Sequence, residues 1–368
     1  MVGLFRLLVA CLLLSPALVV ATQINMPRGV TSISQSIYGL HMYVIWIVVA
    51  IMAVVYGIVI YSLIRHRKSK GAVAATFSQN NLLEIVWTVV PLIIITAIAI
   101  PSIRVLIEMD DYDAADLTIK ITGHQWKWQY EYLDYGVGFF SMLATPMAEV
   151  VGVEDKDEWY LLEVDEPLVL PTDRKVRFVV TSNDVIHSWW VPELGIKRDA
   201  VPGYMYESWA RIQEPGIYRG QCAELCGVNH GFMPVVVKAV TQDDFDKWIA
   251  ERVSAKPPVA SDHNWTLPVA MKRGAALYDQ HCGACHKYDG SGMPPTFPSL
   301  RDSSITTGSD INRNIDVVMN GVPNTAMQAF APQLDDEELA AIITYERNAW
   351  EHDTGDLVQP SQIQARRQ

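Results

Sequence analysis

The sequence predicts a multidomain chain: a two-helix transmembrane hairpin, an all-β sandwich, then an all-α domain. Three observations carry this. Residues 42–64 and 85–103 are apolar runs without a charged side chain, each long enough to cross a hydrocarbon core. Residues 116–240 hold short alternating segments broken by Pro202-Gly203 and Pro215-Gly216. Beyond residue 266 the apolar spacing turns helical, around Val269 to Tyr278 and Asp335 to Trp350. At 368 residues there is room for two or three domains.

Residues 1–22 combine one Arg, an apolar run and small residues near Ala21, the pattern of a signal peptide. Cys11 follows Leu8-Val9-Ala10, which also resembles a lipoprotein site, so removal and lipidation both stay open. The hairpin then covers 23–107, with spans at about 42–64 and 85–106. Arg65, Arg67, Lys68 and Lys70 lie in its connecting loop. Positive loops stay in the cytoplasm, so the large C-terminal part lies on the outer face. A buried core helix is the alternative for either run, but two such runs favour membrane lipid. Glu84 sits at the cytoplasmic mouth of the second span, where an acid either snorkels to water or serves a proton path.

The β domain covers 108–249, with strands expected at 117–121, 174–180, 204–212 and 216–221. At its end stand Cys222, Cys226, His230 and Met233, spaced by four, four and three residues, with His187 upstream. Thiolate, imidazole and thioether together suit copper. A disulfide would leave His187, His230 and Met233 without a role, and zinc rarely recruits Met. One Cys would give a mononuclear site; two allow sulfur bridges between two coppers.

The copper loop, the aromatic run Gly123-His124-Gln125-Trp126-Lys127-Trp128 and the segment Gly195 to Gly203 resemble cytochrome c oxidase subunit II over residues 38–240. The resemblance implies a binuclear CuA centre in a cupredoxin-like sandwich. Its ligands fall on His187, Cys222, Cys226, His230 and Met233, and on Glu224 through the backbone carbonyl. It further implies Trp126 as the residue where electrons arrive, against plain core packing. The Glu224 side chain matches a Mg2+ or Mn2+ ligand at the subunit boundary. Glu84 matches the mouth of a proton channel. Residues 136–160 look inserted, and a surface excursion between strands is expected there.

Residues 250–266, rich in Pro and polar residues, read as a linker. Cys282-Gly-Ala-Cys285-His286 then presents the C-x-x-C-H pattern of covalent haem c, with His286 as axial ligand. A thioredoxin-like pair is the alternative, but it lacks use for the adjacent His. Met293, Met319 and Met327 compete for the second axial position. Met293 follows His286 too closely, and Met319 lies on a helical apolar stripe. Met327 occupies a loop before a helix, a segment that resembles small class I cytochromes c over residues 268–350. The cytochrome domain is thus 267–350, followed by a polar tail, 351–368, expected to be disordered.

The formal net charge of -12 argues against nucleic acid as a partner and permits a basic protein, with plain solubility as the alternative. The resemblance implies the electron-entry subunit of a terminal haem–copper oxidase, a cytochrome-c oxidase of several subunits, with electrons passing from a cytochrome c donor through haem c and then CuA to the catalytic subunit. Its partners would be subunits I and III and a cytochrome c donor. Dioxygen is reduced to water, with proton translocation, in another chain. The implied location is a bacterial cell membrane, with both metal sites outside. A copper-binding assembly or carrier protein outside any oxidase is the alternative. Nitrous oxide reductase, another CuA enzyme, would need a large His-rich domain that the chain lacks.

Overall fold

The computed structural model describes residues 25–73, 76, 78–254, 264–295, 297–323, 325, 327–352 and 354–367. The signal-peptide segment with Cys11, and residues 255–263 of the linker, lie outside the described residues. By packing, the chain resolves into two compact units. One holds residues 1–113 with 192–196 and 210–214; the other holds 114–191, 197–209 and 215–368.

In the first unit, helices α1 (Ser32–Arg65) and α2 (Asn81–Met109) form the hairpin. Both start earlier than the apolar runs because polar residues cap them. Thr31 and Ser34 make a reciprocal capping box, and Asn80 accepts from the Leu83 N–H. The apolar window of each helix is wholly unburied, so neither is the core helix of a soluble domain. Ser and Thr hydroxyls bond back onto α2 beside its two prolines, as at Thr96 Oγ1 to the Leu92 carbonyl, 2.8 Å. Before α1, Thr31 Oγ1 donates to the Leu194 carbonyl at 2.9 Å, and Gln213 N donates to the Val30 carbonyl at 2.9 Å.

The second unit begins with a sandwich of two five-stranded sheets. One has the order β3 (Val137–Ser141), β2 (Lys127–Tyr132), β1 (Leu117–His124), β5 (Val176–Ser182), β8 (Tyr206–Ala210). The other has β4 (Leu168–Pro171), β10 (Pro234–Val240), β9 (Gly216–Cys222), β6 (His187–Val191), β7 (Ile196–Ala200). Strand β5 alternates strictly, with Val176, Phe178 and Val180 buried. Phe178 meets Trp189 of the facing sheet at 5.3 Å between ring centres. Strand β4 is buried along its whole length, so its Leu-Val-Leu run shows no alternation.

Two expectations change here. Residues 136–160 are not only an excursion: 137–141 add an edge strand, and Met147–Val150 forms a helical turn, α3. Helix α4 (Gln242–Ser254) passes the expected boundary at 249, packing Phe245 and Trp248 against Tyr132.

The helical part contains α5 (Leu267–His281), α6 (Gly283–His286), α7 (Ser304–Thr307), α8 (Ile311–Asn320), α9 (Asp336–Asn348) and α10 (Pro360–Arg367). Helices α5 and α9 cross at Gly274, where a Cβ would lie 2.1 Å from the Ala341 carbonyl oxygen. The tail is not disordered. Val358 and Ile363 are fully buried in the helical core, and Arg347 pairs with Asp356, Nε to Oδ2 2.8 Å. The tail's polar residues outnumber these few anchors, which hid its packing from the sequence.

Candidate metal centres

The copper donors sit where strands end. His187 opens β6 and Cys222 closes β9, and these strands pair with Trp189 opposite Cys222. The Ala223 N–H donates to the Ser188 carbonyl at 3.0 Å, which holds the first turn of the loop against β6. Cys222 Sγ then lies 3.9 Å from His187 Nδ1 and 3.8 Å from Cys226 Sγ. Cys226 Sγ lies 3.4 Å from His230 Nδ1 and 3.5 Å from Met233 Sδ. The Glu224 carbonyl oxygen is 3.4 Å from Cys222 Sγ, and its side chain is exposed. All six predicted groups therefore converge. His187, Cys222 and Cys226 form a buried cluster with donor atoms within 4.8 Å of one another. The cysteines are free thiols, which excludes the disulfide, and the thioether among the donors disfavours zinc. Two central sulfurs flanked by imidazole, thioether and carbonyl fit a thiolate-bridged copper pair.

Charge around the cluster favours metal binding. The hydrogen bond from Cys226 draws the Cys222 thiol down to about 3, against burial, while the same contact pushes Cys226 up. Burial disfavours charge on His187, yet the Asp184 hydrogen bond holds its pKa above the usual range. Asp184 Oδ1 lies 2.8 Å from His187 Nε2. Burial alone would raise the Asp184 carboxyl, but hydrogen bonds from His187, Val185 and Gln125 bring it below its ordinary value. Asp184 thus fixes the imidazole so that Nδ1 faces the sulfurs. Sequence reasoning missed it; its place three residues before His187 was the available signal.

Trp126 is buried at 7 % exposure, but it is more than packing. Its indole N–H donates to the Cys226 carbonyl at 3.1 Å, and Gln125 Nε2 donates to the same oxygen at 2.8 Å. Gly227 makes this approach possible: its φ is +117°, and a Cβ would meet Trp126 at 2.9 Å. Trp128 donates to the Met233 carbonyl at 3.3 Å. The aromatic run therefore braces the copper loop from β1 and β2.

The haem motif lies on a cavity of about 1090 Å³ lined by Cys282, Cys285, His286, Met293 and Met327. His286 Nδ1 donates to the Pro298 carbonyl at 2.9 Å, leaving Nε2 as the free donor. Burial pushes the Cys285 thiol up to about 11 and raises Cys282 well above the ordinary thiol range. The paired thiols, the oriented imidazole and a roomy cavity fit a covalently held haem. Met319 is buried in the helical core at 2 % exposure and does not line the cavity. Met327 does line it, and so does Met293, within the tight turn it makes with Phe297. Glu346 also lines the cavity; it is fully enclosed, and burial lifts its carboxyl to about 7. Glu84 lies elsewhere, exposed in the first turn of α2.

Comparison with known proteins agrees with this geometry. Residues 117–240 match the family model of cytochrome c oxidase subunit II, periplasmic domain, and residues 19–105 its transmembrane domain. Residues 269–345 match cytochrome c oxidase, cbb3-type, subunit III. A probable cytochrome c oxidase subunit 2 of Rickettsia bellii is 40% identical over 235 residues, covering 62% of this chain and 84% of that one. Cytochrome c oxidase subunit 2 of Arabidopsis thaliana is 40% identical over 235 residues, covering 63% and 90%. The crystal structure of the subunit II periplasmic domain of Bradyrhizobium japonicum is 38% identical with a TM-score of 0.35, covering 38% of this chain and 96% of that one. Two bare apolar helices that match a subunit II transmembrane model mark a membrane protein with an extramembrane part. The two subunit II family models, over residues 19–105 and 117–240, and the relatives at 40% identity show that the chain belongs to the cytochrome c oxidase subunit II family.

Proposed function

We propose that this chain receives electrons from a cytochrome c donor and delivers them to the catalytic subunit of a terminal haem–copper oxidase. That subunit reduces dioxygen to water with proton translocation. The observation that carries this reading is Trp126, which lines the haem cavity while its N–H bonds the carbonyl of copper ligand Cys226. When bound, binuclear copper and haem c supply one-electron carriers with small structural change. The protein's part is to hold them. His187, Cys222, Cys226, His230, Met233 and the Glu224 carbonyl hold copper. Cys282 and Cys285 would anchor the haem, and His286 and Met327 would supply donors to its iron.

The exposed Glu224 side chain would take Mg2+ or Mn2+ at the boundary with subunit I. Subunit III and a cytochrome c donor complete the assembly. Glu84 is assigned to the mouth of a proton channel. Both metal sites belong on the periplasmic face of a bacterial cell membrane, consistent with the basic loop at Arg65–Lys70. The purified chain should hold two coppers and one iron, and dialysis against a copper chelator at neutral pH should leave the copper in place. A single copper that passes readily to an acceptor protein would instead make this a delivery protein.

A further inference from the structure

The haem cavity is not walled by the helical domain alone. Trp126, Met142, Leu143, Val150 and Val151 line it as well, and these belong to the sandwich. Lys127 stands at the junction. Its Nζ reaches Gln333 Oε1 of the helical domain at 2.5 Å. The same ammonium lies 4.6 Å from the Phe140 ring of the sandwich and 5.0 Å from the Phe330 ring of the helical domain. Lys127 is 4% exposed, and burial lowers its pKa to about 8. A buried ammonium is costly, and the charges of Asp165 and Asp184 offset part of that cost. Aromatic faces and an amide oxygen are the partners that make such burial tolerable.

Two further contacts join the same surfaces. Gln280 Nε2 donates to Asp165 Oδ2 at 3.2 Å, while Asp165 Oδ1 accepts from the Met142 and Glu166 amides at 2.7 Å each. The Trp126 and Phe297 rings meet edge-on at 5.8 Å. The segment between β3 and β4 therefore has a use: it closes one side of the cavity.

We propose that Lys127 is a positioning residue that latches the fused cytochrome domain over Trp126, with residues 142–151 completing the wall of the haem cavity. The latch keeps Trp126 covered, at 7 % exposure, against the helical domain. This rests on the copper and haem assignments above, and the test separates the two. In the full chain loaded with both metals, a ruthenium polypyridyl photosensitiser reduces the haem in a flash, and equilibration with copper is followed optically. Lys127→Ala is expected to slow equilibration roughly tenfold or more, because small displacements of a transfer partner are costly in rate. Metal content is expected to stay as in the parent, and because Lys127 lines the cavity the haem midpoint is measured in each variant so that its effect on driving force is separated from the slowing. Gln333→Ala, a milder change at the rim, is expected to slow it in the same direction, and the double variant to be no slower than Lys127→Ala. Amide hydrogen exchange at 139–145 and 328–334 is expected to rise together. Unchanged equilibration in both single variants overturns the latch. Slowing explained by shifted midpoint potentials overturns it too, since that is a defect of the centres and not of their placement. A parent chain lacking copper or iron would defeat the underlying assignments instead.

Discussion

The copper loop and the haem cavity hold their metals by different means. The copper donors stand on the ends of paired strands and in the eleven-residue stretch that joins β9 to β10. Backbone pairing, Asp184 and the aromatic run hold them, and His187, Cys222, Cys226 and Met233 are all nearly or fully buried. The haem donors line an open space instead. His286 is oriented by Pro298, but Met327 is only partly buried, in the loop between α8 and α9. A sheet can preform a compact cluster of small ligands. A cavity for a large flat group must stay unfilled by side chains, so its walls come from distant segments.

The predictions test that contrast, beginning with the largest effect. Gly274→Val puts a side chain into the Ala341 backbone, so α5 and α9 cannot cross. A loss of about 3 kcal/mol or more is expected for the helical domain. Limited proteolysis should release that part while the sandwich keeps its copper. Simultaneous loss of both centres would show that the two do not fold separately.

Cys222→Ser is expected to abolish the binuclear copper centre and leave haem attached. Copper analysis with electron paramagnetic resonance reads this directly; a retained two-copper signal would refute the ligand set. Met327→Ala should leave the haem bound but turn it high-spin or ligand-swapped. An unchanged absorption spectrum would move the axial assignment to Met293, the other methionine on the cavity.

The last effect appears only as pH rises and concerns Glu346. Its folded pKa is raised to about 7 by burial, so the neutral acid is the stable form inside the protein. The stability this group contributes is fully present below its unfolded value, roughly 4.3. It is lost as pH rises through about 7. The expected loss is up to roughly 3 kcal/mol at alkaline pH. Glu346→Gln should therefore raise the melting temperature at pH 8 more than at pH 5. Equal shifts at both would place the effect outside this carboxyl.

Much of the site was legible because its chemistry is local in the chain. Cys222 to Met233 is one continuous loop, and Cys282, Cys285 and His286 are nearly adjacent. The strands that were missed had reasons. β4 is a short apolar run without alternation, and β3 belongs to a segment with no familiar pattern. The tail helix α10 buries only a few apolar anchors among polar residues. Lys127, Gln333 and Glu346 gave no signal, since an isolated charged or amide residue reads the same on a surface or in a pocket, and Asp184 offered only its place three residues before His187.

The sequence by itself determined the hairpin, the sandwich and the helical domain, and it singled out the candidate metal donors. Those depend on hydrophobic period, on turn residues and on side-chain chemistry at short spacing. Only the tertiary structure decided what surrounds the donors. It set Asp184 behind His187, excluded Met319 from the cavity and brought the Trp126 indole between that cavity and Cys226. It also placed Lys127 against Gln333, 206 positions away. Contacts across such separations are chosen by packing and burial, which no local pattern encodes.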